Sequence, residues 1–315
     1  MNKEQLREYY RRFCRWQEEG PRYVNRHPDT VQHCHNCGTE FTDNFCPRCG
    51  QRAGVGRVGW NAIRENIALL WGMDSRSLSY TLFQLVTRPG YLVRDYISGH
   101  RQVSFPPVKM LVIVGLFAVI FQTVFHIEGE KVLPIKFGIP AIDNAVKWFN
   151  DNKSWGELFY SSFCILPTWA MFRFGPRYPR HTLPEGFFLQ VFLSVQGILW
   201  EFLNCFCGGI SSYIEFIYTI ITYRQLFGYS WWGTIWRYVV TVIVTLLMFV
   251  TFMIPFLVLS KDINVEADDI PKAILMGSVI IAVMLLLSAL ILFIPYCISL
   301  RKYKKTQRKN AESAA

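Results

Sequence analysis

Charged residues are scarce in this chain of 315 residues. They make up 18% of it, whereas 51% of its residues are hydrophobic; soluble domains usually carry about 25% charged residues. The stretch 273–299 contains no charged residue at all, and it is longer than the ~20 apolar residues with which a helix crosses a bilayer. The shortage of charge excludes an ordinary soluble protein and predicts an integral membrane protein.

Several functional patterns are also missing. Residues 1–25 contain no apolar segment behind their early charges, so we expect no secretory signal there and a head that stays in the cytosol. The glycine-rich stretch 54–59 is not followed by Gly-Lys-Ser/Thr, which excludes a Walker-type phosphate loop. The chain has no Ser-His-Asp set, no paired-carboxylate hydrolase site and no His-Glu-x-x-His motif. These absences argue against an enzyme.

The net charge of +10 is unevenly distributed along the chain. Residues 1–109 contain 16 Lys and Arg against 10 Asp and Glu, and the tail from Ser299 contains six against one. Lys and Arg accumulate on the cytosolic side of membrane spans and suit anionic headgroups. We favour this explanation of the surplus over nucleic-acid binding.

Six apolar runs predict an all-α polytopic membrane protein with about six transmembrane helices. The runs lie at 110–126, 157–174, 187–206, 209–223, 238–259 and 273–299. Basic connections alternate with neutral or acidic ones, as six spans with both termini inside require. We therefore expect a multi-pass protein of the bacterial cytoplasmic (inner) membrane with cytosolic N- and C-termini.

Two Cys-x2-Cys pairs form the most specific motif of the sequence. They are Cys34 with Cys37 and Cys46 with Cys49, each followed by glycine. Four thiolates at this spacing suit a tetrahedral Zn²⁺, and a reducing cytosol disfavours disulfides. Four protein ligands leave no position for water, so the zinc is expected to be structural. The sequence predicts a small N-terminal zinc-ribbon head.

This head and the apolar runs divide the chain into five parts. Residues 54–109 are expected to form a linker and juxtamembrane helices, which lie either in the cytosol or in the bilayer interface. The other four parts are a charged N-terminal helix (1–30), the zinc ribbon (31–53), the membrane domain (110–299) and a basic cytosolic tail (300–315).

The third predicted span carries a polar face. At about 100° per residue, one line along the helix collects Gln190, Ser194, Gly197, Glu201 and Asn204. Glu215 is expected at a similar depth in the fourth span. Small and polar residues of this kind serve helix packing through interhelical hydrogen bonds, and they also line ion pathways. Both interpretations stay open.

One further pattern runs through most of the chain. Its elements are the two Cys-x2-Cys-Gly pairs, Asp74-Ser75-Arg76, Thr81-Leu82-x2-Leu85-x2-Arg88-Pro89-Gly90, Arg94, Tyr96, Gly99-x-Arg101, Pro106-Pro107-x-Lys109, Arg173, Tyr178-x2-His181, Glu185 and Tyr223-Arg224-x-Leu226-x-Gly228. The pattern resembles a bacterial membrane-protein family catalogued as domain of unknown function 3667. The resemblance implies a zinc-ribbon head with several spans and brings no activity with it.

The expected function is that of a non-enzymatic inner-membrane protein whose zinc-stabilised head serves assembly or partner binding. The alternative is a transporter or channel that uses the polar face with Glu201 and Glu215. A weaker alternative is nucleic-acid binding by the head, since zinc ribbons sometimes do this. The expected partners are the lipid bilayer and other membrane or cytosolic proteins.

Overall fold

The computed structural model describes residues 3–19, 30–53, 77–101, 104–125, 147, 153–178, 180–207, 211–258 and 270–314, and these residues are mostly helical. Its helices are α1 (Lys3–Glu18), α2 (Leu78–Thr87), α3 (Pro89–Ile97), α4 (Pro107–Phe125), α5 (Lys153–Phe172), α6 (Leu183–Cys207), α7 (Ser211–Phe227), α8 (Trp231–Val258) and α9 (Ile270–Ala314). Two short strands, β1 (Gln32–His33) and β2 (Glu40–Phe41), pair antiparallel between α1 and α2.

Local sequence signals account for several helix ends. The Ser77 hydroxyl accepts a hydrogen bond from the Tyr80 amide at the start of α2, as an N-cap does. Pro89 begins α3, where its missing N–H and fixed φ are tolerated. At the start of α6 the Glu185 carboxylate accepts a hydrogen bond from the Thr182 amide at 2.6 Å, which is half of a capping box.

Helix α6 lies at the centre of the bundle. It contacts α2, α3, α4, α5 and α7, while α5 connects it to α8 and α9. The main core contains side chains from most of these helices, among them Leu92, Met110, Phe172, Phe192 and Tyr223. Each of these five is at most 7% exposed, so the core is a packed interior.

Four of the described helices are long and apolar enough to cross a membrane. The spans lie at Pro107–Val124, Leu183–Phe202, Trp231–Phe252 and Leu275–Lys309. The predicted span 157–174 falls in α5, which has 20 residues and is about 30 Å long; its stretch Ser161–Phe172 is apolar. The predicted span 209–223 falls in α7, which has 17 residues and is about 25 Å long. The integral-membrane class is supported, and the count of six is not confirmed.

Helices α2 and α3 pack into the main core instead of standing apart from it. Leu85, Leu92 and Val93 are at most 1% exposed. The helices are separated at Arg88, where φ is −143° and ψ is 52°. The part of the expected linker and first juxtamembrane helix at 54–76 lies outside the described residues.

Both ends of the chain reach the connection between α5 and α6. Arg177 in this connection pairs with Glu18 at the end of α1 at 2.9 Å. Three residues on, the Arg180 guanidinium lies 5.3 Å from the centre of the Tyr303 ring in α9. The expected basic tail is helical, because α9 continues to Ala314. The N-terminal helix and the C-terminal part of α9 therefore lie at the same end of α5 and α6.

Candidate metal centre and polar clusters

Each Cys-x2-Cys pair of the head closes a tight backbone turn. The Gly38 amide donates to the Cys34 carbonyl at 2.8 Å, and the Gly50 amide donates to the Cys46 carbonyl at 2.9 Å. Both glycines have φ of +73°, a conformation that costs little without a Cβ. The two halves of the head thus have the same local geometry, which follows directly from the repeated Cys-x2-Cys-Gly pattern.

The turns bring the four cysteine sulfurs together. The Cys34 and Cys49 sulfurs are 3.4 Å apart, as are those of Cys37 and Cys46, and all four lie within 4.8 Å of one another. Bonds of about 2.3 Å from a tetrahedral Zn²⁺ would place its sulfurs about 3.8 Å apart. The observed separations bracket that value, so the four residues fit one metal ion.

The pKa values of Cys34, Cys37 and Cys49 are shifted in different directions. Hydrogen bonding to Thr39, whose hydroxyl is 3.2 Å from Cys37 Sγ, lowers the pKa of Cys37 to about 6. A backbone hydrogen bond from Gln51 lowers the pKa of Cys49. Burial raises the pKa of Cys34 to about 11. Metal ligands are thiolates, so the lowered pKa values of Cys37 and Cys49 suit metal binding.

The rest of the head offers little apolar surface. Its core consists of Cys34, Phe41, Cys46 and Ala53, with Cys37 packed against them. Three of these five residues are cysteines of the cluster. A segment with so small a core depends on cross-links or a metal for its stability.

The predicted polar face of α6 is directed at three neighbouring helices. Gln190 Nε2 donates to Thr168 of α5 at 3.2 Å and to Tyr223 of α7 at 3.3 Å. The Ser194 hydroxyl is 3.1 Å from that of Ser161 in α5. Gln190 and Ser194 therefore form hydrogen bonds within the bundle.

The two glutamates of the predicted polar site have different surroundings. Glu201 accepts a hydrogen bond of 3.0 Å from Gln122 of α4. Glu215 of α7 packs against α6 at Gly197, where a Cβ would lie 2.8 Å from its carboxylate oxygen. Asn204 lies in α6, and its side chain is outside the described residues. The structure thus distributes the predicted site over the α6 contacts with α4, α5 and α7.

A second polar cluster, which we term the α2–α3 junction (Gln84 to Asp95), was not predicted. The Arg88 guanidinium donates to Asp95 at 2.8 Å and to Gln84 at 3.0 Å. The Gly90 amide donates to the Gln225 side chain of α7 at 3.0 Å. The signal that could have revealed the cluster is an Arg and an Asp seven residues apart on either side of a Pro-Gly break.

His181 in the connection between α5 and α6 is also buried. It is 2% exposed, its ring lies 5.0 Å from that of Phe227, and neither ring nitrogen has a hydrogen-bond partner among the described residues. Burial, followed by the nearby Arg173, lowers the pKa of His181 to about 4. The imidazole is therefore neutral at pH 7.

Comparison with known protein families gives a match to part of the chain. The family described as "Protein of unknown function (DUF3667)" matches residues 76–119. This supports the assignment to that family of unknown function over α2, α3 and most of α4, and thus over the α2–α3 junction. The four-cysteine head lies outside the matched residues. No curated protein and no solved structure matches the chain.

Proposed function

We propose that this chain is a multi-pass protein of the bacterial inner membrane whose head binds a structural Zn²⁺ and serves assembly or partner binding. The observation that carries the proposal is the convergence of the four cysteine sulfurs within 4.8 Å of one another. A soft, four-sulfur ligand set favours zinc over harder metals. Because four cysteines fill a tetrahedral shell, the ion holds the head together and leaves no position for a reacting water.

The arrangement of the chain ends supports a cytosolic head. Arg177 and Arg180 contact α1 and α9 from one short connection. A chain whose two ends lie on the same side of a bilayer crosses it an even number of times. The connection 173–186 contains three arginines and one glutamate, the composition of cytosolic connections. Both termini are accordingly assigned to the cytosol.

Metal analysis of the full-length protein tests the zinc site. We expect one zinc per chain after purification in detergent, and loss of zinc in Cys37→Ser and Cys46→Ser. The matched control is Cys14→Ser, which replaces a cysteine of α1 outside the cluster. Purified wild-type protein with four reduced thiols and no zinc would contradict the proposal.

Partner binding by the head needs a separate experiment. Proteins cross-linked to the chain in its native membrane are compared between the wild type and Cys46→Ser. We expect a discrete partner that is captured by the wild type and lost in the variant. The thermal stability of the membrane domain must be equal in the two proteins. Identical partners in both would exclude the head as the binding module.

A polar pathway along α6 is the second candidate function. It is supported by two glutamates at helix contacts, Glu201 beside Gln122 and Glu215 beside Gly197. Ionisable side chains at membrane depth are costly and often functional. The test replaces both glutamates with Gln. A physiological defect at normal protein level favours transport, whereas full function with both substitutions excludes it.

A further inference from the structure

The apolar face of α1 is fully outside the protein core. Its five large apolar side chains are 41–70% exposed, and none of the residues of the helix, all of which the structure describes, is buried. At about 100° per residue these five lie within about 60° of one line along the helix. They are Leu6, Tyr9, Tyr10, Phe13 and Trp16. So large an apolar stripe on a helix predicts a surface that covers it.

Three of the five cations of α1 flank this stripe. Lys3, Arg7 and Arg12 lie about 80–120° from its centre, whereas Arg11, Arg15 and the acidic side chains lie about 140–180° away. The acidic residues are Glu4, Glu8 and Glu18. A helix with aromatic residues on one face, cations at its flanks and charged residues of both signs on the far side has the pattern of an interfacial helix. The cations suit an anionic surface.

The C-terminal end of α1 is fixed to the bundle. The Gln17 side-chain amide donates to the Thr87 carbonyl at 2.6 Å, and Arg88 Nε donates to the Gln17 carbonyl at 2.7 Å. Glu18 accepts hydrogen bonds from Tyr91 and from Arg177. These contacts hold α1 at the end of the bundle where the α5–α6 connection lies, close to the first turns of the spans.

The apolar stripe of α1 also lies near exposed tryptophans at the start of α8. The pKa of Tyr10 is raised chiefly by its hydrogen bond with Cys14, and the positive charge of Arg224 acts on it in the opposite direction. The Arg224 guanidinium lies 4.3 Å from the centre of the Trp231 ring. Trp231 and Trp232, at the start of α8, are 49% and 81% exposed. Tryptophans at the ends of spans mark the headgroup region.

We propose that α1 lies in the headgroup region of the protein's own membrane, with Tyr9, Phe13 and Trp16 at the acyl boundary and Lys3, Arg7 and Arg12 on anionic lipid headgroups. Two features of the structure favour the bilayer over a protein partner. The stripe is rich in amphipathic aromatic rings flanked by cations, and its residue Tyr10 lies within electrostatic range of Arg224, which lies over the exposed Trp231 ring. The helix thereby fastens the α2–α3 junction to the membrane surface.

Photocrosslinking of the full-length protein tests this placement. The photoreactive residue p-benzoyl-phenylalanine replaces Tyr9 or Phe13 on the stripe, Glu8 on the far side, or Val112, an exposed residue of the α4 span. The protein is reconstituted in vesicles of phosphatidylethanolamine and phosphatidylglycerol and illuminated. We expect lipid adducts at positions 9, 13 and 112 and several-fold fewer at position 8. Equal yields at 8 and 9, or no lipid adduct at 9 and 13, would overturn the proposal.

Two further experiments distinguish the bilayer from other partners that could cover the apolar stripe of α1. In native membranes, protein adducts in place of lipid adducts at 9 and 13 would identify a protein partner and overturn the proposal. In vesicles of phosphatidylcholine alone, or after Lys3, Arg7 and Arg12 are all changed to Gln, the yield at position 9 should fall several-fold while that at 112 stays constant. A yield that is independent of lipid charge would overturn the role of the cations.

Discussion

The Arg88 guanidinium donates a 2.8 Å hydrogen bond to the Asp95 carboxylate, and the two side chains are only 3% and 12% exposed. Arg88 also donates to Gln84 and to the Gln17 carbonyl of α1. One guanidinium thus joins α1, α2 and α3. The pair lies inside the segment that matches the family of unknown function.

Removal of one partner of this pair should be destabilising. We expect Arg88→Ala to lower the free energy of unfolding by about 1–3 kcal/mol, because buried Gln84 and one Asp95 oxygen lose their hydrogen-bond donor, while Arg94 still pairs with the other Asp95 oxygen at 3.2 Å. Thermal unfolding of the detergent-purified protein measures the change. The control is Arg12→Ala, which breaks an exposed pair with Glu8 and should cost at most about 1 kcal/mol. Equal melting temperatures of the two variants would contradict the structural role of Arg88.

Gly90 is predicted to tolerate no side chain. A Cβ there would overlap the Thr222 carbonyl, the Gln225 side chain and the Leu226 amide of α7. Two of these are backbone groups that cannot move aside, so we expect Gly90→Ala to cost about 1–3 kcal/mol, as overpacking does. The measurement is again thermal unfolding in detergent.

The control for Gly90→Ala lies one helix further along the chain. Gly115 of α4 has open space where a Cβ would stand, and Ala favours a helix over Gly by up to about 1 kcal/mol. Gly115→Ala should leave stability unchanged or raised. Destabilisation by both substitutions alike would show that the contact with α7 is not the cause.

His181 should make stability depend on pH. Its pKa falls to about 4 in the folded protein, from about 6.5 in an unfolded chain. Between these values the unfolded chain binds more protons, so stability falls as the pH falls, by up to about 3 kcal/mol at pH 4. His181→Phe keeps an aromatic ring against Phe227 and removes the titrating group. The comparison of melting temperatures from pH 7 to pH 4 should show a smaller decline in the variant; identical declines would be inconsistent with this prediction.

The two chain ends should report the same side of the membrane. Fusions of a reporter that is active only in the periplasm, placed before Met1 or after Ala315, are expected to be inactive, and a cytosol-active reporter should work at both ends. The contacts of Arg177 with Glu18 and of Arg180 with Tyr303 are the physical reason. Opposite results at the two ends would refute the shared position of α1 and the end of α9.

The head was the part of the chain most accessible to prediction from sequence. Its geometry is local: two glycines at φ of +73° and turns of four residues bring Cys34, Cys37, Cys46 and Cys49 together. The apolar spans were also predictable, because the length of an apolar run depends only on the local sequence. The weakest prediction concerned α5 and α7, where polar residues interrupt the apolar pattern.

The surroundings of the polar residues were not predictable. Periodicity collected Gln190 and Glu201 on one face of α6, but it could not indicate that Gln190 contacts α5 and α7 while Glu201 contacts α4. Likewise, the apolar positions of α2 and α3 fit an interfacial helix and a buried one equally well. Partners distant in sequence, such as Gln196 and the Leu85 carbonyl at 3.4 Å, decide between the two.

The hydrogen bond from Gly90 to Gln225 joins residues that are 135 positions apart, and this separation has a consequence for biosynthesis. At about 5–20 residues per second a ribosome needs about 7–27 s to add that length of chain. During this interval the core residues Leu92 and Val93 of α3 are already made, while α7, the helix that α3 contacts most, is still untranslated. The nascent protein must therefore keep these side chains in lipid or on a chaperone until α7 emerges, and a message truncated before α7 would yield a product destined for proteolysis.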